Sequence, residues 1–249
     1  IDLPFIDAKS MGFSDQRLEL TTAGNAMFSY DWKELFRIDS HVESLNLFIG
    51  KDSLSTDVFD LYAEAKKDTT SATFNTGDFS LSFFTPNNLF KLLPKVEKLQ
   101  KETVRQFTNH EVNLDVLRTY LPEVLFHVHA GKNNPVADVL KVYDMHFDEL
   151  SADISISPEE GVISNAHVYS FSKEGVMVDT VYMVLDQDST QLGYNIGVRC
   201  HQQPSLPAFK ANLEGYVMAA KADAHFTFFD KRGTKGVDLG VRVQATDTC

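Results

Sequence analysis

The sequence predicts an α+β fold, an antiparallel sheet with helices packed on one of its faces. Three observations predict it. Most segments alternate apolar and polar residues with a period of two, as strands of a half-buried sheet do. Two stretches, 53–67 and 87–107, instead space their apolar residues three and four apart, as amphipathic helices do. The order then runs strands, two or three helices, and a long series of strands.

Taken in order, residues 16–24 (QRLELTTAG) alternate through Leu18 and Leu20, and 41–50 (HVESLNLFIG) through Leu45, Leu47 and Ile49. Residues 53–67 (SLSTDVFDLYAEAKK) place Leu54, Val58, Leu61, Tyr62 and Ala65 on one helical stripe. Ser55 would cap that helix, Asp57 suits its first turn and Lys66-Lys67 its last. Residues 79–100 (FSLSFFTPNNLFKLLPKVEKLQ) open as a strand, with Phe79, Leu81 and Phe83 alternating with Ser80 and Ser82. They close as a helix, with Leu89, Leu92, Leu93, Val96 and Leu99 at helical spacing. Pro94 either kinks that helix or starts it. A third short helix precedes Leu121-Pro122.

From residue 151 onward the reading is strand throughout. Ile154 and Ile156 share a face, Pro158-Glu159-Glu160-Gly161 supplies a turn, and a return strand runs to Phe171. Residues 176–186 carry apolar side chains on both faces, which predicts a strand covered on both sides. Further strands fall at 192–200, 208–220, 224–229 and 236–244, the last two separated by the polar loop Asp230–Gly236.

The chain has 249 residues, 43% of them hydrophobic, enough for a real core, and 23% charged, which is ordinary for a globular protein. Phenylalanine is abundant, with 19 Phe against 8 Tyr and 1 Trp, and Phe rings have no polar handle that favours exposure. A net charge of −12 argues against nucleic acid as a partner, since phosphates need Lys and Arg, and against attraction to anionic membranes by charge alone. Cys200 and Cys249 could form one bridge and cannot form a disulfide framework. No apolar run reaches the length of a membrane span, and no Asn-x-Ser/Thr occurs. The opening IDLPFIDAKS shows no signal-peptide pattern and no initiator Met, and reads as a mature chain or a piece of a longer one.

Candidate chemistry is sparse. His127 and His129 lie two apart on a strand, hence on one face, but two imidazoles make no zinc site without further ligands. They read as a polar face opposite Val124, Phe126 and Val128. The pair Asp186/Asp188 in DQDST lacks the glycine and the later acidic ligand of a calcium loop and reads as a hairpin turn. No nucleophile elbow, phosphate loop or H-E-x-x-H occurs. The expectation is a protein that is not an enzyme, with no cofactor and no metal.

Several segments together resemble one half of the tubular lipid-binding (TULIP) superfamily, in particular the C-terminal half of bactericidal/permeability-increasing-protein-like members. SMGFSDQRLELTTAGNAMFSYD (10–31) looks like that family's opening strand pair. STDVFDLYAEAKKDTTSATF (55–74) looks like its helix passing into a strand. Leu-Pro-x-Val occurs twice, at Leu93–Val96 and Leu121–Val124, and ADISISPEEGVISNAHVYSF is similar to its strand, turn and return strand. The doubled Leu-Pro-x-Val, the lack of a long helix after residue 200 and the negative charge depart from the family's pattern.

The resemblance implies a single lipid-binding domain over 1–249, alone or as one half of a larger extracellular or secreted protein. It implies a strongly curved antiparallel sheet wrapped around one or two amphipathic helices, with acyl chains in an apolar groove between sheet and helix. Carried over by position, Val58, Tyr62 and Ala65 would line that groove from the first helix. Leu93 and Val96 would contribute from the second, Val168 and Val181 from the strands. The implied function is lipid binding or transfer, with peripheral membrane contact and a second half-domain or homodimer as further partners. A sixteen-carbon chain would gain on the order of 12 kcal/mol gross, before ordering costs. The rival expectation is a non-enzymatic β-rich interaction or adhesion module.

Overall fold

A computed structural model describes residues 2–7, 18–31, 35–49, 52–56, 58–109, 113–188, 190–204, 206–219 and 221–244. The chain opens with the strands β1 (Asp2–Asp7), β2 (Leu18–Asp31), β3 (Leu35–Ile49), β4 (Asp52–Thr56), β5 (Phe59–Lys66), β6 (Thr70–Thr76) and β7 (Phe79–Thr85). Helices α1 (Leu89–Asn109) and α2 (Leu114–Tyr120) lead to β8 (Val124–Ala130), and α3 (Pro135–Val142) to the short β9 (Met145–His146). The rest is strand: β10 (Glu149–Ser157), β11 (Gly161–Lys173), β12 (Val176–Gln187), β13 (Gln191–Cys200), β14 (Phe209–Met218), β15 (Lys221–Phe229) and β16 (Lys235–Gln244).

All the strands join one sheet, ordered β1-β2-β3-β5-β6-β7-β8-β10-β11-β12-β13-β14-β15-β16, with β4 beside β3 and β9 beside β11. Every described ladder is antiparallel. Successive strands are therefore sheet neighbours, even β7 and β8 across α1 and α2, with only β4 and β9 set off the main order.

Antiparallel partners point to the same side of a sheet, so the register sorts every residue to a face. One row crosses the middle of the sheet: Phe28, Ile38, Ala63, Ala72, Phe83, Phe126 and Ile154 are successive partners. It continues through Ser164, Leu185, Tyr194, Gly215, Ala224 and Val241. The neighbouring rows on that side are as apolar, such as Leu81–Val128–Ala152–Ala166–Met183–Ile196–Leu213–Phe226–Leu239. The other face carries Ser82, His127, Asp153 and Asn165 in one row. The strands thus alternate as half-buried strands do, in phase with one another across thirteen of them.

Two tyrosines bind neighbouring strands through glycines. The Tyr182 ring lies over Gly197 on the polar face and donates to Asn212 Oδ1 at 2.9 Å. Tyr194 lies over Gly215 on the apolar face and donates to the Asp223 carbonyl at 3.1 Å. A Cβ on Gly197 would sit 2.3 Å from the Tyr182 ring, so a larger residue there evicts it. Each tyrosine spends its ring on area and its hydroxyl on a bond to the strand beyond.

The helices lie at opposite ends of the central strands. At the Ala130 end, Asn134 caps α3 by accepting from Ala137 N at 2.9 Å, and its Nδ2 donates to Asp78 in the β6–β7 turn at 2.7 Å. Ala137 and Phe147 are buried there with Ala130, packed against Phe79, Leu140, Leu150 and Val168. At the Val124 end, Asn88 ties the start of α1 to the Lys66 carbonyl at 2.6 Å. Arg118 of α2 donates to the carbonyls of Pro158, Glu159 and Asp188, clasping two strand turns. Gln106, 3% exposed, joins α1 to α2 by accepting from Asn113 N at 2.7 Å.

Several expectations are corrected. No sheet wraps around amphipathic helices: the sheet is open, with β1 and β16 as its edges. Within 53–67, residues 53–56 lie in β4 and 59–66 in β5, not in a helix, because Phe59, Leu61, Ala63 and Ala65 also alternate and pair with β3 and β6; Asp57 lies outside the described residues. The 87–107 helix starts at Leu89 and holds Pro94 inside it. The helix before Leu121 is α2, whereas α3 was not anticipated. β12 is not covered on both sides, since Val184 on the polar face is exposed. Cys200 is buried with a free thiol, pushed up in pKa chiefly by burial; Cys249 lies outside the described residues.

Candidate functional site

The feature that sets this sheet apart is its uncovered apolar face. Thirteen strands, β2 to β16 along the ladder, span roughly 58 Å at about 4.8 Å per strand. Apart from α3 at the Ala130 end, nothing among the described residues seals that face. Phe83, Phe126, Ile154, Met183, Tyr194, Leu213 and Phe226 are only partly buried, and Ile196, Val237, Leu239, Val241 and Val243 are exposed. A covering layer would bury them. The accessible surface agrees: 15717 Å², against about 11,000 Å² for a compact monomer of this mass.

Aromatic contacts run along this face. Phe28 meets Phe36 edge-on at 5.4 Å, Phe74 touches Phe59 at 5.6 Å and Phe79 at 5.7 Å, and Phe209 stacks on Phe228 at 5.8 Å. Each pair joins adjacent strands, so the rings brace the sheet while leaving outer ring surface exposed.

The opposite face is polar and internally paired. His41 meets Asp60 at 2.6 Å, His127 meets Asp153, and His225 meets Asp238 at 2.5 Å, each across adjacent strands. The carboxylates hold His41 and His225 above the usual imidazole range. A shallow cavity of about 520 Å³ lies on this side, bounded in part by Ser82, Phe84, Leu125, His127, Asp153 and Ile163. Phe84, Leu125 and Ile163 form an exposed apolar patch on this side.

The sequence-derived site residues divide. Ala65, Val168 and Val181 lie on the apolar face, Val168 and Val181 as direct partners. Tyr62 lies on the other face with the Arg37 guanidinium 5.2 Å from its ring. Val58 is exposed between β4 and β5, where its carbonyl accepts from Thr76 Oγ1 at 3.0 Å. Leu93 and Val96 are exposed on α1. The sheet therefore does not bring these seven together into one groove. Most of the apolar face, including Phe126, Ile196 and Leu213, was missed, although its period-two signal was present in each strand.

His127 and His129 occupy the polar face, His127 spent on Asp153. Asp188 accepts from Thr190 N, Thr190 Oγ1 and Gln191 N, which lowers its pKa and makes DQDST a hairpin turn. Among the described residues no group of His, Cys, Asp and Glu is placed to hold a metal ion. Among them, too, no helix is long and apolar enough to cross a membrane. No protein-family model, no curated protein and no solved structure matches the chain, so the resemblance to tubular lipid-binding proteins gains no support from these comparisons.

Proposed function

We propose that this protein binds lipid acyl chains on the apolar face of its sheet. The observation that supports the reading is the unsealed face itself, apolar in register from β2 to β16. Ordinary monomers expose apolar patches of only about 300–600 Å², and larger ones mark binding surfaces. Hydrocarbon fits the chemistry: the face offers Phe, Leu, Ile, Val and Ala, with few hydrogen-bonding groups to specify a polar ligand. The seat of the chain is the sheet surface rather than a groove between sheet and helix. The driving force is desolvation of chain and sheet together, with the polar headgroup left in water.

The test is mass spectrometry of the intact protein purified without detergent, followed by organic extraction. Discrete added masses released as lipids support the reading. A bare chain that takes up no mass from mixed lipids overturns it. At residue level, Ile196→Glu with Leu239→Glu should abolish a saturable fluorescent acyl-probe signal, whereas Asp153→Asn on the other face should not. A second reading, a β-rich protein-interaction module, is favoured by the Phe84–Leu125–Ile163 patch. It predicts loss of a protein partner, with lipid uptake unchanged, in Leu125→Ser.

A further inference from the structure

Helix α1 has three stripes where a surface helix ordinarily has two. At 100° per residue, Leu92, Lys95, Leu99, Glu102 and Gln106 fall on one side, and among the described side chains these are its least exposed, with Leu92 at 6%. That side faces the protein. Leu89, Leu93, Val96 and Val104 fall on a second side and are exposed, Leu93 at 57% and Val104 at 59%, with Phe90 at its edge at 75%. Lys91, Lys98, Lys101 and Arg105 form the third, next to it. The helix packs through a mixed side, anchored by Leu92 and Leu99, and presents its apolar stripe to solvent.

The charge of the helix opposes that of the chain. Five basic against two acidic residues leave α1 a surplus of three positive charges, on a chain of net charge −12. Both acidic residues are spent within the helix, Glu97 on Lys101 at 2.6 Å and Glu102 on Arg105 at 2.6 Å. An exposed apolar stripe bordered by cations, on a helix of about 31 Å, is the pattern of a segment lying in a lipid headgroup layer. Aliphatic side chains enter the acyl boundary while the lysines meet anionic headgroups. A second copy of the chain fits less well, because two such helices would bring like-charged stripes together.

We infer that α1 docks the protein onto an anionic lipid bilayer through Leu89, Leu93, Val96 and Val104, with Lys91 and Lys98 on the headgroups. The inference stands on α1 alone and does not require lipid on the sheet. The test is co-sedimentation of the full chain with phosphatidylcholine vesicles, with and without about 30% phosphatidylserine, at low and high salt. The anionic vesicles should bind about tenfold tighter, and about 0.5 M salt should remove most of that preference. Leu93→Glu with Val104→Glu should lower vesicle binding about tenfold or more, and Lys91→Glu with Lys98→Glu should do the same for anionic vesicles only. Both variants alter exposed positions and should keep the wild-type melting temperature and acyl-probe binding.

Wild-type protein that ignores anionic vesicles overturns the inference, whatever the probe shows. Vesicle binding without probe binding leaves the inference standing and sinks the acyl-chain reading. A wild-type dimer that Leu93→Glu converts to monomer, with no vesicle binding in either, makes the stripe a contact between copies and overturns the inference.

Discussion

Helices α3 and α1 stand in comparable places, each within a connection between β8 and one of its sheet neighbours: α3 on the way from β8 to β10, and α1, followed by α2, on the way from β7 to β8. They use their apolar residues in opposite ways. In α3, eight residues long, Ala137 is buried and Leu140 packs on the apolar face beside Phe147. In α1, 21 residues long, Leu92 is buried while Leu93, Val96 and Val104 are not. A connection only as long as its span gives its apolar side chains to the sheet. A longer one, tied at Asn88 and through Gln106 to α2, has apolar surface left over. The difference separates structural hydrophobicity from hydrophobicity that lacks a partner in the fold.

That comparison breaks most readily at Phe147. Phe147→Ala should cost about 3–5 kcal/mol, because the ring is buried in the one tight cluster of the Ala130 end. Urea denaturation measures it, and a loss under about 1 kcal/mol would mean that α3 is no better seated than α1. Asn134→Ala should cost about 1–2 kcal/mol by removing both the α3 cap and the bond to Asp78. Leu93→Ser in α1 should change stability by no more than about 0.5 kcal/mol. A cost like that of Phe147→Ala would show the exposed stripe to be packed in solution.

Two weaker effects follow from charge. His41 and His225 titrate above their unfolded value of about 6.5, raised by Asp60 and Asp238. Their stabilisation is complete below that value and is lost as pH rises through the folded-state pKa. The urea midpoint should therefore decline from mildly acidic to mildly alkaline pH, and Asp60→Asn with Asp238→Asn should flatten the decline. An unchanged slope in that double variant would rule these pairs out as its source. In α1, Arg105 and Gln106 pull Glu102 down to about 2. Its contribution is present above the ordinary carboxylate range and is lost as pH falls through about 2. Arg105→Ala should return the Glu102 titration, followed by NMR, towards that ordinary range.

Much of the sheet was legible because strand alternation is local. Residues 151–171 read as two strands around Pro158–Gly161, and the structure pairs Ile154 with Ser164 and Ile156 with Val162. The polar loop at 230–236 was equally plain, with Asp230 accepting from Arg232 N and Thr234 N. Residues 59–66 were not. Leu61, Tyr62 and Ala65 fit a helical stripe, while Phe59, Leu61, Ala63 and Ala65 fit a strand face, and Ala suits either well enough. Pairing of Ala63 with Ile38 and of Leu61 with Phe74 decides it, through contacts distant in sequence. α3 carried a readable start in Asn134-Pro135, an N-cap before a first-turn proline.

By itself the sequence determined the period-two pattern of the strands, the apolar stripe and basic surplus of α1, and the polar turns. Each follows from where successive Cβ atoms point along a chain of known pitch. Only the tertiary structure decided that thirteen strands turn their apolar sides to one face, and that among the described residues helices cover only an end of it. Whether apolar side chains become core depends on a second layer arriving over them. That layer is a matter of chain path and loop length, which no local pattern of residues encodes.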